Sequence, residues 1–225
     1  MISYWIIFIA IALASWLVQA NLNRKFKRFS KIPIGNMTGR DVALKMLHDN
    51  GIYDVNVIST RGMLTDHYNP INKTVNLSEG VYASCSVAAA AVAAHECGHA
   101  VQHAHAYAPL TLRSKLVPFV SFASNWMMWV LLAGMLTINT FPQIMLLGIL
   151  LFAITTLFSF VTLPVEIDAS RRALKWLSAA GITNITNHNA AESALRSAAY
   201  TYVVAALGSL ATLFYYILIF LGNRD

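Results

Sequence analysis

The chain has 225 residues and a net charge of +6, with 57% hydrophobic and only 12% charged residues and a mean hydropathy of +0.55. Soluble domains carry about 45–50% apolar and about 25% charged residues, so a soluble globule of this length would have too few charges to cover its surface. The same balance excludes a disordered chain and a nucleic-acid binder, despite the basic excess, and leaves an integral membrane protein. Two cysteines, Cys85 and Cys97, cannot build a disulfide framework and read as small buried residues.

A spanning helix needs about 20 mostly apolar residues. Four stretches qualify: 2–20, 116–138, 141–163 and 200–221, none of which contains Lys, Arg, His, Asp or Glu. The first resembles a signal peptide at Val18, Gln19 and Ala20. However, no basic residue precedes it, while Arg24, Lys25, Lys27, Arg28 and Lys31 follow it directly, as in an uncleaved anchor. Fifteen of the 16 Lys and Arg residues fall on one side of the spans, leaving only Arg224 on the other. The positive-inside rule makes the crowded side cytoplasmic and puts both termini outside.

Between the spans, Thr38 and Asp41 form an N-cap pattern, and Val42, Ala43, Met46 and Leu47 a helical stripe ending at Gly51. Residues 54–60 alternate like a strand, and 63–68 and 73–78 predict two more around a turn at Asn69 and Pro70. The spacing then predicts a helix from Ser84 or Ser86 to about His105. After the third span a helix runs from about Val165 to Ala180, stopped by Gly181. Another starts near Asn187 and heads into the fourth span.

The Ser86–His105 helix carries His95, Glu96, Cys97, Gly98 and His99 in sequence. Residues four apart share a helical face, so two imidazoles can hold one metal there. Glu96 is placed to contact a metal-bound water rather than the metal, which is the HExxH arrangement of zinc peptidases. Zinc needs a third protein ligand and an open position. His105 mimics a longer HExxHxxGxxH pattern, but Gln102 replaces the glycine that lets that chain leave the helix. An unbroken helix carries His105 about 15 Å along the axis from His95, and His103 a full turn past His99. Downstream stand only two glutamates. Glu192, four before Arg196, reads as an ordinary helical pair. Glu166, two residues after Pro164 at the end of the third span, is the expected third ligand. Asp168 and the Arg171–Arg172 pair supply polar groups able to orient ligands.

LSEGVY at 77–82, AAHECGHAVQ at 93–102 and LPVEIDASRRAL at 163–174 resemble the bacterial YugP-like family of membrane zinc metallopeptidases, over essentially the whole chain. The resemblance implies a gluzincin-like peptidase with His95, His99 and Glu166 as zinc ligands and Glu96 as catalytic acid/base. A more distant similarity links it to HtpX-type and prenyl-protein endopeptidases, where an aspartate follows the ligand glutamate by four residues. Here that position is Ser170, and the nearby acid is Asp168.

The expected fold is therefore a mainly α integral membrane protein with four transmembrane helices and a zincin-like α+β catalytic region containing a small β-sheet. Its parts are an N-terminal span (1–20), the catalytic region (21–115), a transmembrane hairpin (116–163), cytoplasmic helices with the third ligand (164–199) and a C-terminal span (200–225). The expected activity is hydrolysis of peptide bonds by zinc-activated water with Glu96 as general base. Expected partners are the bilayer and a protein or peptide substrate associated with it, and no nucleic acid. His67, Tyr68, His188 and Arg171 are candidate oxyanion donors. Strand 73–78 would receive an extended substrate if it lies at a sheet edge rather than inside. Three rivals stand against this. An intramembrane protease would bury its HExxH in an apolar span, whereas polar residues flank this one. A transporter would need ligands within the spans, and there are none. A zinc-binding scaffold or regulator would bind metal without cleaving.

Overall fold

The computed structural model describes residues 2–222, so Arg224 lies outside the described residues. In chain order the elements are α1 (Ile2–Phe29), α2 (Gly39–Asp49), β1 (Asn56–Thr60), β2 (His67–Asn69), β3 (Thr74–Ser78), α3 (Glu79–Tyr82), α4 (Val87–Ala104), α5 (Ala108–Thr137), α6 (Pro142–Ala179) and α7 (His188–Gly222). The chain forms two compact units, one comprising residues 18–110 with 164–200 and the other drawn from the rest.

The second of these is built from the apolar parts of α1, α5, α6 and α7, each long and apolar enough to cross a membrane. Its small core gathers Leu131, Met145 and Ile149. Gly134 lets the α5 and α6 backbones meet, since a Cβ there would stand 2.5 Å from Met145 Cα. Met128, Trp129 and Leu136 are by contrast at least two-thirds exposed, as lipid-facing side chains must be. This is a mainly α membrane protein with a small sheet.

In the other unit, α2 begins with the full capping box: the Thr38 side chain accepts from Asp41 N–H and the Asp41 side chain from Thr38 N–H. Val42, Ala43, Met46 and Leu47 are all buried. They pack with Val75 and Leu77 of β3 and with the Ala-rich face of α4, where Ala89, Ala90, Ala91, Ala93 and Ala94 are essentially inaccessible. Small side chains let neighbouring backbones close on α4, which fixes its axis and rotation. Ser86 caps α4, accepting from Ala89 N–H, and His105 closes it.

The three-stranded sheet has the order β1-β3-β2. β1 runs parallel to β3, from Asn56↔Thr74 to Thr60↔Ser78, and β2 antiparallel, with His67 opposite Asn76. The substrate-edge expectation for 73–78 is thus corrected: β3 is the central strand, bonded on both sides. The 63–68 strand is shorter than expected, because Gly62 and Leu64 take positive φ (104° and 58°) and break the extended backbone. The separate helix expected to start at about Val165 is also corrected, although the two units do part between Leu163 and Pro164. α6 passes through Pro164 as one helix, forgoing the single hydrogen bond that proline cannot donate, and ends before Gly181 at φ 68°. No ion pair joins Glu192 to Arg196 among the described residues; Arg196 Nε donates instead to Tyr200 Oη. Cys85 is half-buried rather than buried, and both cysteines are free thiols.

Candidate metal centre

His95 and His99 lie one turn apart on α4, with their rings 4.8 Å apart and nearly perpendicular. Glu166 reaches them from α6. Its Oε2 stands 3.2 Å from His95 Nε2 and 3.5 Å from His99 Nε2. Two atoms about 2.0–2.2 Å from a tetrahedral zinc stand roughly 3.3–3.6 Å apart, so the donor spacing fits that ion. The donor chemistry fits too, with two imidazoles, one carboxylate and no fourth such side chain in the group among the described residues. Glu166 is 3% exposed, His99 and Glu96 8% each. A buried carboxylate must be paired or ligate a metal.

α4 and α6 come this close because of Gly98. A Cβ at that position would meet the Ala169 carbonyl oxygen at 2.6 Å, well inside van der Waals contact. The glycine between the two histidines thus admits the backbone of the helix that carries Glu166.

The Nδ1 atoms of both histidines are engaged. Gln102, fully buried, donates from Nε2 to Val165 O at 2.8 Å and to Asp168 Oδ2 at 2.9 Å. Both partners are acceptors, so the amide nitrogen must face them and Oε1 must face His99. His99 Nδ1–H donates to that oxygen at 3.0 Å, which turns Nε2 toward Glu166. Ser170 Oγ lies 3.1 Å from His95 Nδ1 and steadies the other ring. Asp168 therefore touches no ligand itself. It holds Gln102, and Arg172 Nε holds it in turn at 2.6 Å.

Burial disfavours charge on His99, but the Glu166 hydrogen bond and the nearby Glu96 and Glu166 charges outweigh it and raise its pKa above 6.5. Burial and the adjacent Glu96 push the Cys97 thiol well up, so it stays protonated and donates to Ala43 O.

The remaining sequence candidates lie elsewhere. His103 is exposed and pairs with Tyr68 (Nδ1 to Oη, 2.8 Å); exposed His105 is the α4 C-cap. His67 Nδ1 donates to Thr65 O at 2.8 Å, and His188 Nδ1 lies 2.8 Å from Thr183 Oγ1. Arg171 lines a separate cavity. Gln102 and Ser170 carried no role in the sequence. A signal existed in the helical period, since Gln102 stands three residues after His99 and Ser170 four after Glu166.

Two helix-borne imidazoles, a carboxylate from a second helix and an adjacent buried glutamate are the set of groups that the HExxH pattern brings together in zinc peptidases. Residues 4–221 match the model of the family described as "Putative neutral zinc metallopeptidase". Over 217 residues the chain is 42% identical to "Putative membrane protease YugP" of Bacillus subtilis (strain 168), covering 96% of this chain and 95% of that protein. The chain belongs to this zinc metallopeptidase family. No solved structure matches it.

Proposed function

We propose that this protein is a membrane-embedded zinc endopeptidase in which His95, His99 and Glu166 hold the ion and Glu96 is the general base. The observation that carries the proposal is the convergence of those three donors beside a buried Glu96. Zinc held there would supply a Lewis acid that lowers the pKa of water toward about 7 and polarises the scissile carbonyl. Glu96 takes the proton from the attacking water and returns it to the leaving amine. Among the described residues no hydrogen bond or ion pair engages its carboxylate, which leaves it available for that transfer. Gln102 and Ser170 keep the two imidazoles aimed through their Nδ1 atoms.

An extended substrate pairs with β2, whose second edge carries no strand among the described residues, rather than with the central β3. Tyr68 and His103 offer polar contacts beside it. Glu166 follows the uncharged 141–163 stretch by three residues, about 4.5 Å along a helix, so the preferred substrates are membrane proteins or segments lying at the bilayer interface. The distribution of basic residues supports the cytoplasmic side for that interface.

Metal analysis combined with a casein cleavage assay on the full chain in detergent tests this. We expect about one zinc per chain and cleavage that a chelator abolishes and zinc restores. Bound zinc without chelator-sensitive cleavage would instead support a non-catalytic zinc scaffold.

A further inference from the structure

A cavity of about 440 Å³ opens in the unit that carries the metal centre, between the ends of α2 and α4 and the last turns of α6. Arg171, Arg172, Lys175 and His105 line it together with apolar Met46 and Trp176. Its charges are unbalanced. Arg172 is bound to Asp168 and stacked over Tyr107 at 5.7 Å, so it is held in place. The other nearby carboxylate, Asp49, accepts from Lys45 Nζ at 2.9 Å and from Trp176 Nε1 at 3.0 Å. Both local acids are therefore already engaged. Arg171 and Lys175 make no ion pair among the described residues, although they stand four apart on one helical face, where like charges repel.

We propose that this cavity binds a phosphate-bearing ligand, and that the form it fits is the headgroup of an anionic phospholipid. Arg171 and Lys175 close on the phosphate, the guanidinium in a bidentate fork and the ammonium as a point charge. Half-buried Trp176 and exposed Ala179, both in the cavity wall, receive the apolar part of the same molecule. Basic residues that only set membrane orientation need no concave, partly apolar site around them. A phosphate with an apolar substituent uses both features. Among the described residues neither Arg171 nor Lys175 has a hydrogen bond or ion pair to His95, His99 or Glu166, whereas Arg172, which also lines the cavity, is joined to His99 through Asp168 and Gln102 and is therefore left unchanged in the test.

Isothermal titration of the full chain in a non-ionic detergent tests this with short-chain dihexanoyl lipids below their micellar concentration. Dihexanoylphosphatidylglycerol should bind saturably at about one per chain. It should bind at least tenfold more tightly than dihexanoylphosphatidylcholine or inorganic phosphate. The Arg171→Gln/Lys175→Gln double variant should lose at least tenfold in affinity, while Arg61→Gln at a remote exposed position should not. Because both cavity positions are exposed, circular dichroism and thermal unfolding should match the parent. Should the double variant misfold, Lys175→Glu alone should give the same loss. Inorganic phosphate binding as tightly as the lipid, and lost in the double variant, would overturn the lipid assignment in favour of a free phosphate. Lipid affinity unchanged in the double variant, or no saturable binding by either probe, would overturn the site itself.

Discussion

Gln102 Oε1 accepts a 3.0 Å hydrogen bond from His99 Nδ1–H while the amide's other end is fixed by Val165 O and Asp168. One fully buried amide thereby sets the tautomer of an imidazole in the candidate metal centre. Gln102→Leu keeps a comparable volume but removes both ends of the link. We expect zinc affinity to fall about 10–100-fold, the usual cost of losing such a partner. Competition with a chromogenic chelator measures it. An affinity unchanged from the parent in folded Gln102→Leu protein would show that the amide only fills space.

Gly98→Ala should injure both fold and metal site. The new Cβ would lie 2.6 Å from the Ala169 carbonyl oxygen, and because that atom is backbone, α4 and α6 must move apart. Overpacking of this kind costs about 1–3 kcal/mol, and here it also separates Glu166 from His95 and His99. Gly80→Ala is the control. Nothing lies within 4 Å of its Cβ position, and we expect a change within about 0.5 kcal/mol. Thermal unfolding in detergent, with zinc affinity measured alongside, tests the pair.

The pH dependence should change sign with zinc. In the metal-free protein the pKa of His99 is raised above 6.5. Its contribution to stability is complete below the unfolded-state value and is lost as pH rises through the raised folded one. Zinc competes with that same proton, so zinc affinity should fall as pH drops through the raised value. Metal-free protein should thus weaken on going alkaline from about 6.5, and the loaded protein on going acid. Unfolding scans across pH, with and without chelator, measure this. Parallel curves for the two forms would contradict it.

Sidedness is open to direct labelling. In a Cys85→Ser background, with Cys97 buried, a cysteine at Asn139 should react with an impermeant thiol reagent added outside cells, and one at Asn187 should not. The bias of basic residues toward one side of the spans is the basis. Labelling of position 187 from outside would invert the orientation and move the metal centre out of the cytoplasm.

The elements that local chemistry dictates were legible in the sequence. The Thr38–Asp41 capping box, the Val42–Leu47 stripe, the Ser86 cap and the uncharged spans each have a signature within a few residues. HExxH is equally local, since helical geometry alone puts His95 and His99 on one face. Tertiary choices were less legible. Strand order depends on which partner β3 accepts on each side, and alternation in one strand is silent about that. Pro164 reads as a helix end, but a continuous α6 needs only to forgo one hydrogen bond. In the sequence Gln102 stands out only as a departure from the HExxHxxGxxH pattern. Its role depends on Asp168 and Val165, more than 60 residues away, which no local pattern reveals.

Replacing Glu96 with Gln keeps the volume of the side chain and leaves His95, His99 and Glu166 in place. It removes only the carboxylate assigned to proton transfer. Casein cleavage and zinc content should be measured on the same purified full-length Glu96→Gln preparation. We expect zinc at the parent stoichiometry and cleavage lowered at least about 100-fold, within the range for a lost general base. Cleavage at the parent rate by pure Glu96→Gln protein would contradict the proposed peptidase mechanism.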